Sequence, residues 1–272
     1  MPALFTPSRL VPRVVWHPDK WERISLIARL VEDLESVVDV GGRGRELAKV
    51  LPGASVISAN VEQPADVLFD GDRLPFDDGA FDAATSCDVI EHIPAERRLG
   101  HLRELLRVSR RRVVVCCPLG TDYHRQAEHE LQRWLVDQIG SSLDFLDEHL
   151  QFGIPDQGEL AGLVAAAAPG ATVTWRFHGD VDEGNDLLKD GVRARWRRDP
   201  VALARYLRAA YLVPRRPTLD ETARPSTNRV FVVIDRELSP AGGAATRRAG
   251  TPRPAHTPQP SPASGRSAAP SG

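Results

Sequence analysis

The sequence predicts a doubly wound α/β fold, a mostly parallel seven-stranded sheet with helices on both faces. Three observations carry this expectation. Seven short apolar runs recur along the chain, and helical patterns separate the early ones. One run, Val113-Val114-Val115, is apolar at consecutive positions, as a strand covered on both faces must be. Strands that alternate with helices pair in parallel, because each crossover lays a helix on the sheet.

The elements follow in order. Residues 20–34 place Ile24, Ile27, Val31 and Leu34 on one helical face. Residues 36–40 form a first strand that stops at glycines, and 45–51 read as the next helix. Residues 55–60, 65–69 and 81–86 are strands two to four. Pro94 suits the first turn of a helix that runs to about Val108, with Leu99, Leu102, Leu105 and Leu106 inward. Residues 112–117 are the fifth strand, in which Cys116 and Cys117 must point to opposite faces. Residues 171–177 and 229–234 are two late strands. Two stretches exceed a minimal sheet domain: 121–155, mostly helical and rich in His and acids, and 179–227. Insertions of that size usually cap or shape a site.

The bulk properties bound the function. A chain of 272 residues suits one large domain with appendages (residues 1–238), and 42% hydrophobic residues supply a core. A formal net charge of -2 gives no reason to expect a nucleic-acid or membrane-surface partner. Neither a signal-peptide core nor an apolar run of membrane-spanning length is visible. Cys87, Cys116 and Cys117 have no disulfide or zinc spacing, so a cytoplasmic protein is expected. Residues 239–272 hold no aliphatic residue larger than Ala, no aromatic and no acid, and read as a disordered tail. No obligate protein partner is evident.

The glycine-rich turn Asp39-Val40-Gly41-Gly42-Arg43-Gly44 follows the first strand. Glycines let a ligand approach the backbone, and the next helix offers unpaired N–H groups. A dinucleotide site needs Gly-x-Gly-x-x-Gly, which Gly41, Gly42 and Gly44 do not satisfy. Asp39 would also repel a pyrophosphate but tolerate a ligand carrying an ammonium and a sulfonium. A nicotinamide-dependent oxidoreductase is therefore disfavoured. Downstream come Asn60 and Glu62 at the end of the second strand, then Asp70-Gly71-Asp72-Arg73-Leu74-Pro75-Phe76, Phe81-Asp82, and Glu91-His92-Ile93-Pro94.

In that order and at that spacing, residues 37–118 resemble the class I, Rossmann-like S-adenosylmethionine-dependent methyltransferases. The similarity is greatest to the branch with the Leu-Pro-Phe and Glu-His-Ile-Pro segments. The resemblance implies an antiparallel last strand and S-adenosyl-L-methionine as cofactor. It further implies that Asp39 and the backbone of Gly41, Gly42 and Gly44 hold the methionine portion. Asn60, with Val61, stands where the ribose is read, Asp70 and Gly71 where the adenine amino group is met. Cys87 and Asp88 line the methionine side, with His92 nearby. The family has glycine where Arg43 stands, often glycine at Arg45, and usually an acid at Asn60. These departures predict weaker cofactor binding. The reading that follows is transfer of a methyl group to a small-molecule or glycan-type acceptor, with a catalytically weak or inactive binding or scaffold domain as the alternative.

A hydroxyl or amine acceptor must lose a proton, so a His or carboxylate within hydrogen-bond reach is needed. Candidates are His92, His124 and His149, with Glu128 one helical turn beyond His124 and Glu148 beside His149. The string His124-Arg125-Gln126-Ala127-Glu128-His129 has one residue too many for His-x-x-Glu-His, so no metal site is expected. Solvated charge accounts for Arg193, Arg195, Arg197, Arg198, Arg215 and Arg216 better than an acidic acceptor does.

Overall fold

A computed structural model describes residues 16–212 and 217–236. The sheet has seven strands: β1 (Ser36–Val40), β2 (Ser55–Asn60), β3 (Val67–Leu68), β4 (Phe81–Cys87), β5 (Ser109–Pro118), β6 (Thr172–Asp180) and β7 (Thr227–Asp235). Their spatial order is β3-β2-β1-β4-β5-β7-β6. Pairing is parallel from β3 through β5, whereas β7 runs antiparallel to both β5 and β6. The expected α/β fold and antiparallel last strand are what the chain adopts. Strand order reverses between β1 and β4, and the carboxyl ends of strands at such a switch point are where open α/β sheets bind ligands.

Helices α1 (Pro18–Leu30) and α2 (Glu46–Val50) cover one face of the sheet. Helices α3 (Ala95–Val108) and α6 (Gln157–Ala167) cover the other. The two layers split adjacent residues as the pleat demands. Val114 and Cys116 pack with α1, while Val113, Val115 and Cys117 pack with α3 and α6.

Several elements differ from the sequence expectation. Helix α1 ends at Leu30, because the N–H of Val31 turns back to Ala28; Val31 and Leu34 are still buried, in the turn beyond it. Strand β3 is only two residues long, and Asp66 before it caps Ser58 instead of extending the ladder. Strand β5 begins three residues early, and its Arg110 and Arg112 reach salt bridges with Asp82, Asp33 and Asp235. Those cations masked a strand start that the apolar pattern alone placed later. Helix α6 was also hidden. Its alanines blur the amphipathic period, and its start is set by Asp156, which accepts from Glu159 N at 2.8 Å.

The first insertion consists of α4 (Asp122–Ile139) and α5 (Asp144–Phe152). Thr121 caps α4 by accepting from His124 N, and Gly140 ends it at a φ of 77°. The second insertion holds α7 (Val181–Trp196) and α8 (Pro200–Leu207). Leu131 and Leu135 of α4, Leu146 of α5 and Val192 of α7 form a small separate core that fixes both insertions over the sheet's carboxyl edge. Arg215, Arg216 and the 239–272 segment lie outside the described residues. No described helix is long and apolar enough to cross a membrane.

Candidate functional site

A cleft of about 1190 Å³ opens at the carboxyl ends of β1, β2 and β4. Among its lining residues are Val40, Gly41, Asn60, Val61, Phe69, Asp70, Gly71 and Asp88. Six of the ten residues expected to hold the cofactor are therefore brought together around one space: Gly41, Asn60, Val61, Asp70, Gly71 and Asp88. The other four, Asp39, Gly42, Gly44 and Cys87, do not line it. Asp39 is buried beneath the turn, where Oδ1 accepts from Thr85 Oγ1 at 2.8 Å. Burial pushes its carboxyl up to about 7, with Glu46 adding to the rise and the Thr85 bond opposing it. Gly42 sits on that carboxylate, and a Cβ there would come 2.1 Å from Asp39 Oδ2. A Cβ on Gly44 would meet only Pro64 Cγ, at 3.8 Å, so its φ of 57° and not crowding is what favours glycine there. Cys87 packs toward Cys116; its thiol donates a hydrogen bond to that neighbour, and this bond and burial push it up.

Gly41 has a φ of 83°, and a Cβ on it would meet Val89 Cγ2 at 2.2 Å. Val89 therefore closes over the glycine turn from the β4 side. Arg45 holds a left-handed φ of 57° just before α2, the conformation a glycine would take there freely.

Asn60 is fully engaged. Its Nδ2 donates to Gly41 O at 3.0 Å, and its Oδ1 accepts from Val61 N at 2.7 Å. It buttresses the glycine turn, which explains an amide where two acceptor oxygens were expected: only an amide can donate to the turn carbonyls and cap the next residues at once. Glu62, two residues beyond Asn60 at the cleft, is paired with Arg43 at 2.8 Å. Arg43 points across the cleft mouth; both side chains are more than half exposed, so the pair is easily opened. Asp70 accepts from the N–H groups of Asp72 and Arg73 at 2.9 and 3.2 Å, and these bonds hold its carboxyl below the usual range.

A second cavity of about 530 Å³ adjoins the cleft and shares Asp88, His92 and Phe145 with it. Two charged groups meet there. On the α1 side, Asp88 (φ 52°) is gripped by Arg229 and by Arg23 at 3.1 Å, and Arg229 also reaches Asp19 at 3.1 Å. Asp88 is therefore neutralised by protein cations. On the α4–α5 side, all three candidate histidines converge. His149 Nδ1 lies 2.8 Å from Glu128 Oε1, and His124 Nε2 lies 3.7 Å from the same oxygen. His92 and His149 stack at 5.0 Å between ring centres, and His92 Nδ1 stands 2.5 Å from Glu148 Oε2 in an ion-pair contact without hydrogen-bond geometry. His124 Nδ1 faces the Leu119 carbonyl at 3.0 Å, and burial lowers its basicity. Glu91 is fully buried against this group with neither carboxylate oxygen hydrogen-bonded; burial and then the Asp88 charge push its carboxyl well up.

The residue that fixes this corner is one the sequence reading passed over. Arg98 is 1% exposed and bonds Ile93 O and Phe152 O at 3.0 Å, Gly153 O, and Glu159 at 2.6 Å. It ties the Glu-His-Ile-Pro turn to the end of α5 and the start of α6. An arginine at helical spacing from Leu102 and Leu105, on the buried face of α3, was the signal. The Asp19–Arg23–Arg229–Asp88 network joins residues too far apart in sequence to be read as one.

A sheet of this order with a glycine turn at its switch point defines a doubly wound, Rossmann-like α/β fold. Residues 45–117, about a quarter of the chain, match the family model described as a methyltransferase domain. Over that segment the chain is similar to methyltransferase domains. The matched segment begins just after the glycine turn, so Arg43 lies outside it. No curated protein matches the sequence. Among solved structures the chain is similar to a SAM dependent methyltransferase from Archaeoglobus fulgidus (14% identity, 84% of this chain and 94% of that one, TM-score 0.49). It is also similar to a putative methyltransferase from Bacillus halodurans (12%, 79% and 99%, TM-score 0.45). A third is the 1,6-didemethyltoxoflavin-N1-methyltransferase of Burkholderia thailandensis (13%, 79% and 76%, TM-score 0.45).

Proposed function

We propose that the chain transfers a methyl group from S-adenosyl-L-methionine, held in the larger cleft, to a small-molecule or glycan-type acceptor in the 530 Å³ cavity. The observation that carries this reading is the junction of the two spaces at Asp88, His92 and Phe145. Ligands in the two spaces would be neighbours across these three residues, and a cavity of this volume suits a small ligand.

The residues fit an adenosyl ligand. Val61, 56% exposed at the cleft wall, offers an apolar flank for a flat ring with Phe69 and Ile93. Asp70 presents a carboxylate beside it, and Glu62 becomes the ribose acceptor once released from Arg43. The Gly41 and Gly42 backbone faces the methionine portion, with no side chain able to occupy that turn. Bound cofactor would supply an electrophilic methyl group on a good leaving group, so positioning provides much of the acceleration. The acceptor's proton departs into the His92–His124–His149 cluster, where lowered basicity keeps His92 and His124 neutral and able to accept it.

Calorimetry with S-adenosylhomocysteine tests the cofactor site. The expected result is binding that weakens severalfold in Asp70→Ala and in Glu62→Ala. An absence of binding at millimolar ligand refutes the enzyme reading and favours the binding-domain alternative, which the engaged Asn60 and Asp88 side chains support.

A further inference from the structure

Glu91, His92 and His149 each bring one potential ligand atom within 4.8 Å of the others. We propose that these three residues form a binding site for a divalent first-row transition cation at the junction of the two cavities, with open positions toward the acceptor cavity.

Four features argue for it. First, Glu91 is fully buried and lines the acceptor cavity, yet neither of its carboxylate oxygens has a hydrogen-bond partner. A buried acceptor left this way costs free energy that a cation would recover. Second, His149 is already oriented as a ligand. Its Nδ1 is bonded to Glu128, which fixes the tautomer and leaves Nε2 as a lone pair without a protein partner among the described residues. A carboxylate behind a ligating imidazole is the usual arrangement around protein-bound metals. Third, His92 has its own carboxylate, Glu148, at Nδ1. Fourth, among the described residues no Lys or Arg is paired with Glu91, Glu128 or Glu148. Three glutamates thus converge on three histidines; the guanidinium groups of Arg229 and Arg23 act on Glu91 from a distance but pair with Asp88 instead.

The neighbouring set Cys87, Asp88 and Cys116 is also close enough to ligate. It fails on charge, because Asp88 already faces the guanidinium groups of Arg23 and Arg229. Two imidazoles and one carboxylate suit zinc, manganese, iron or cobalt better than magnesium or calcium, which prefer oxygen ligands alone. The site escaped the sequence pattern because its ligands come from two elements, the turn after β4 and helix α5.

Three protein ligands leave room for an oxygen from the cavity. A hydroxyl-bearing acceptor bound there would lose its proton more readily to His124, the histidine of the cluster that does not ligate, since a divalent cation lowers the pKa of a coordinated O–H. This consequence rests on the methyl-transfer reading above; the metal site itself does not.

The test is a titration of the chelator-stripped full-length chain with Co²⁺, read by visible ligand-field absorption and by competition with Zn²⁺. The expected result is one equivalent bound, loss of that absorption in Glu91→Gln and His149→Gln, and 10- to 100-fold weaker binding in Glu128→Gln. Glu91→Gln keeps the side chain's shape, and far-ultraviolet circular dichroism confirms its fold. No absorption in the wild type, or equal affinity in wild type and Glu91→Gln, overturns the site. Calorimetry of the same samples with S-adenosylhomocysteine separates the two readings. Cofactor binding without cobalt binding refutes the metal site alone, and cobalt binding without cofactor binding refutes the cofactor reading alone.

Discussion

Replacing Asp39 by Asn should change how stability depends on pH, in a direction the structure sets. The Asp39 carboxyl is buried under Gly42 and bonded by Thr85, and it titrates near 7 in place of the usual 3.8. As pH rises from 4, the unfolded chain releases this proton first and the folded chain retains it. The associated stability is full below about pH 4 and declines until pH reaches about 7. At 1.36 kcal/mol per pH unit, the rise corresponds to about 4 kcal/mol as an upper bound. Asn keeps the acceptor for Thr85 and carries no charge. Urea unfolding of both proteins at half-unit intervals from pH 4 to 8 measures the difference. The variant should gain about 2–4 kcal/mol relative to wild type across that range. Parallel stability profiles would refute the buried, protonatable Asp39.

Other predictions follow from the same geometry. His101 is buried against Ser86 Oγ at 2.9 Å and burial lowers it to about 4. It stays neutral when folded, so stability falls as pH drops from 6.5 toward 4, by up to about 3 kcal/mol; in His101→Gln that acid limb should flatten in the same urea series. Arg98→Ala leaves the Ile93, Phe152 and Gly153 carbonyls and Glu159 without their donor, and chemical unfolding should show a loss of about 3–5 kcal/mol. Gly42→Ala drives a methyl group onto Asp39 Oδ2, and thermal melting should register a loss of about 1–3 kcal/mol. Arg43→Ala frees Glu62 from an exposed pair worth about 0–1 kcal/mol, so affinity for S-adenosylhomocysteine should be equal or up to about fivefold tighter.

The sheet was legible because its strands are short apolar runs ended by Gly, Asn or Pro, and burial on both faces leaves few alternatives. What the pattern missed has physical causes. The Arg110–Arg112 start of β5 is polar because its partners are acids on neighbouring elements. Helix α6 is apolar nearly all round, so its period is faint. The cleft followed from motif order, and six of ten expected residues line it. Asp39 and Asn60 were placed correctly on the strands, but their side chains turn inward to hold the loop, a choice that depends on Thr85 and on the turn carbonyls. The histidine cluster was foreseen only as separate candidates, since its convergence depends on how α5 packs beside the turn after β4.

Hydrogen–deuterium exchange of the full-length chain, with and without saturating S-adenosylhomocysteine, tests most directly whether the cofactor occupies this cleft. The account predicts added protection at residues 40–44, 60–62 and 69–72, and none in α8. Unchanged exchange in those three segments, or protection confined to another part of the chain, would contradict it.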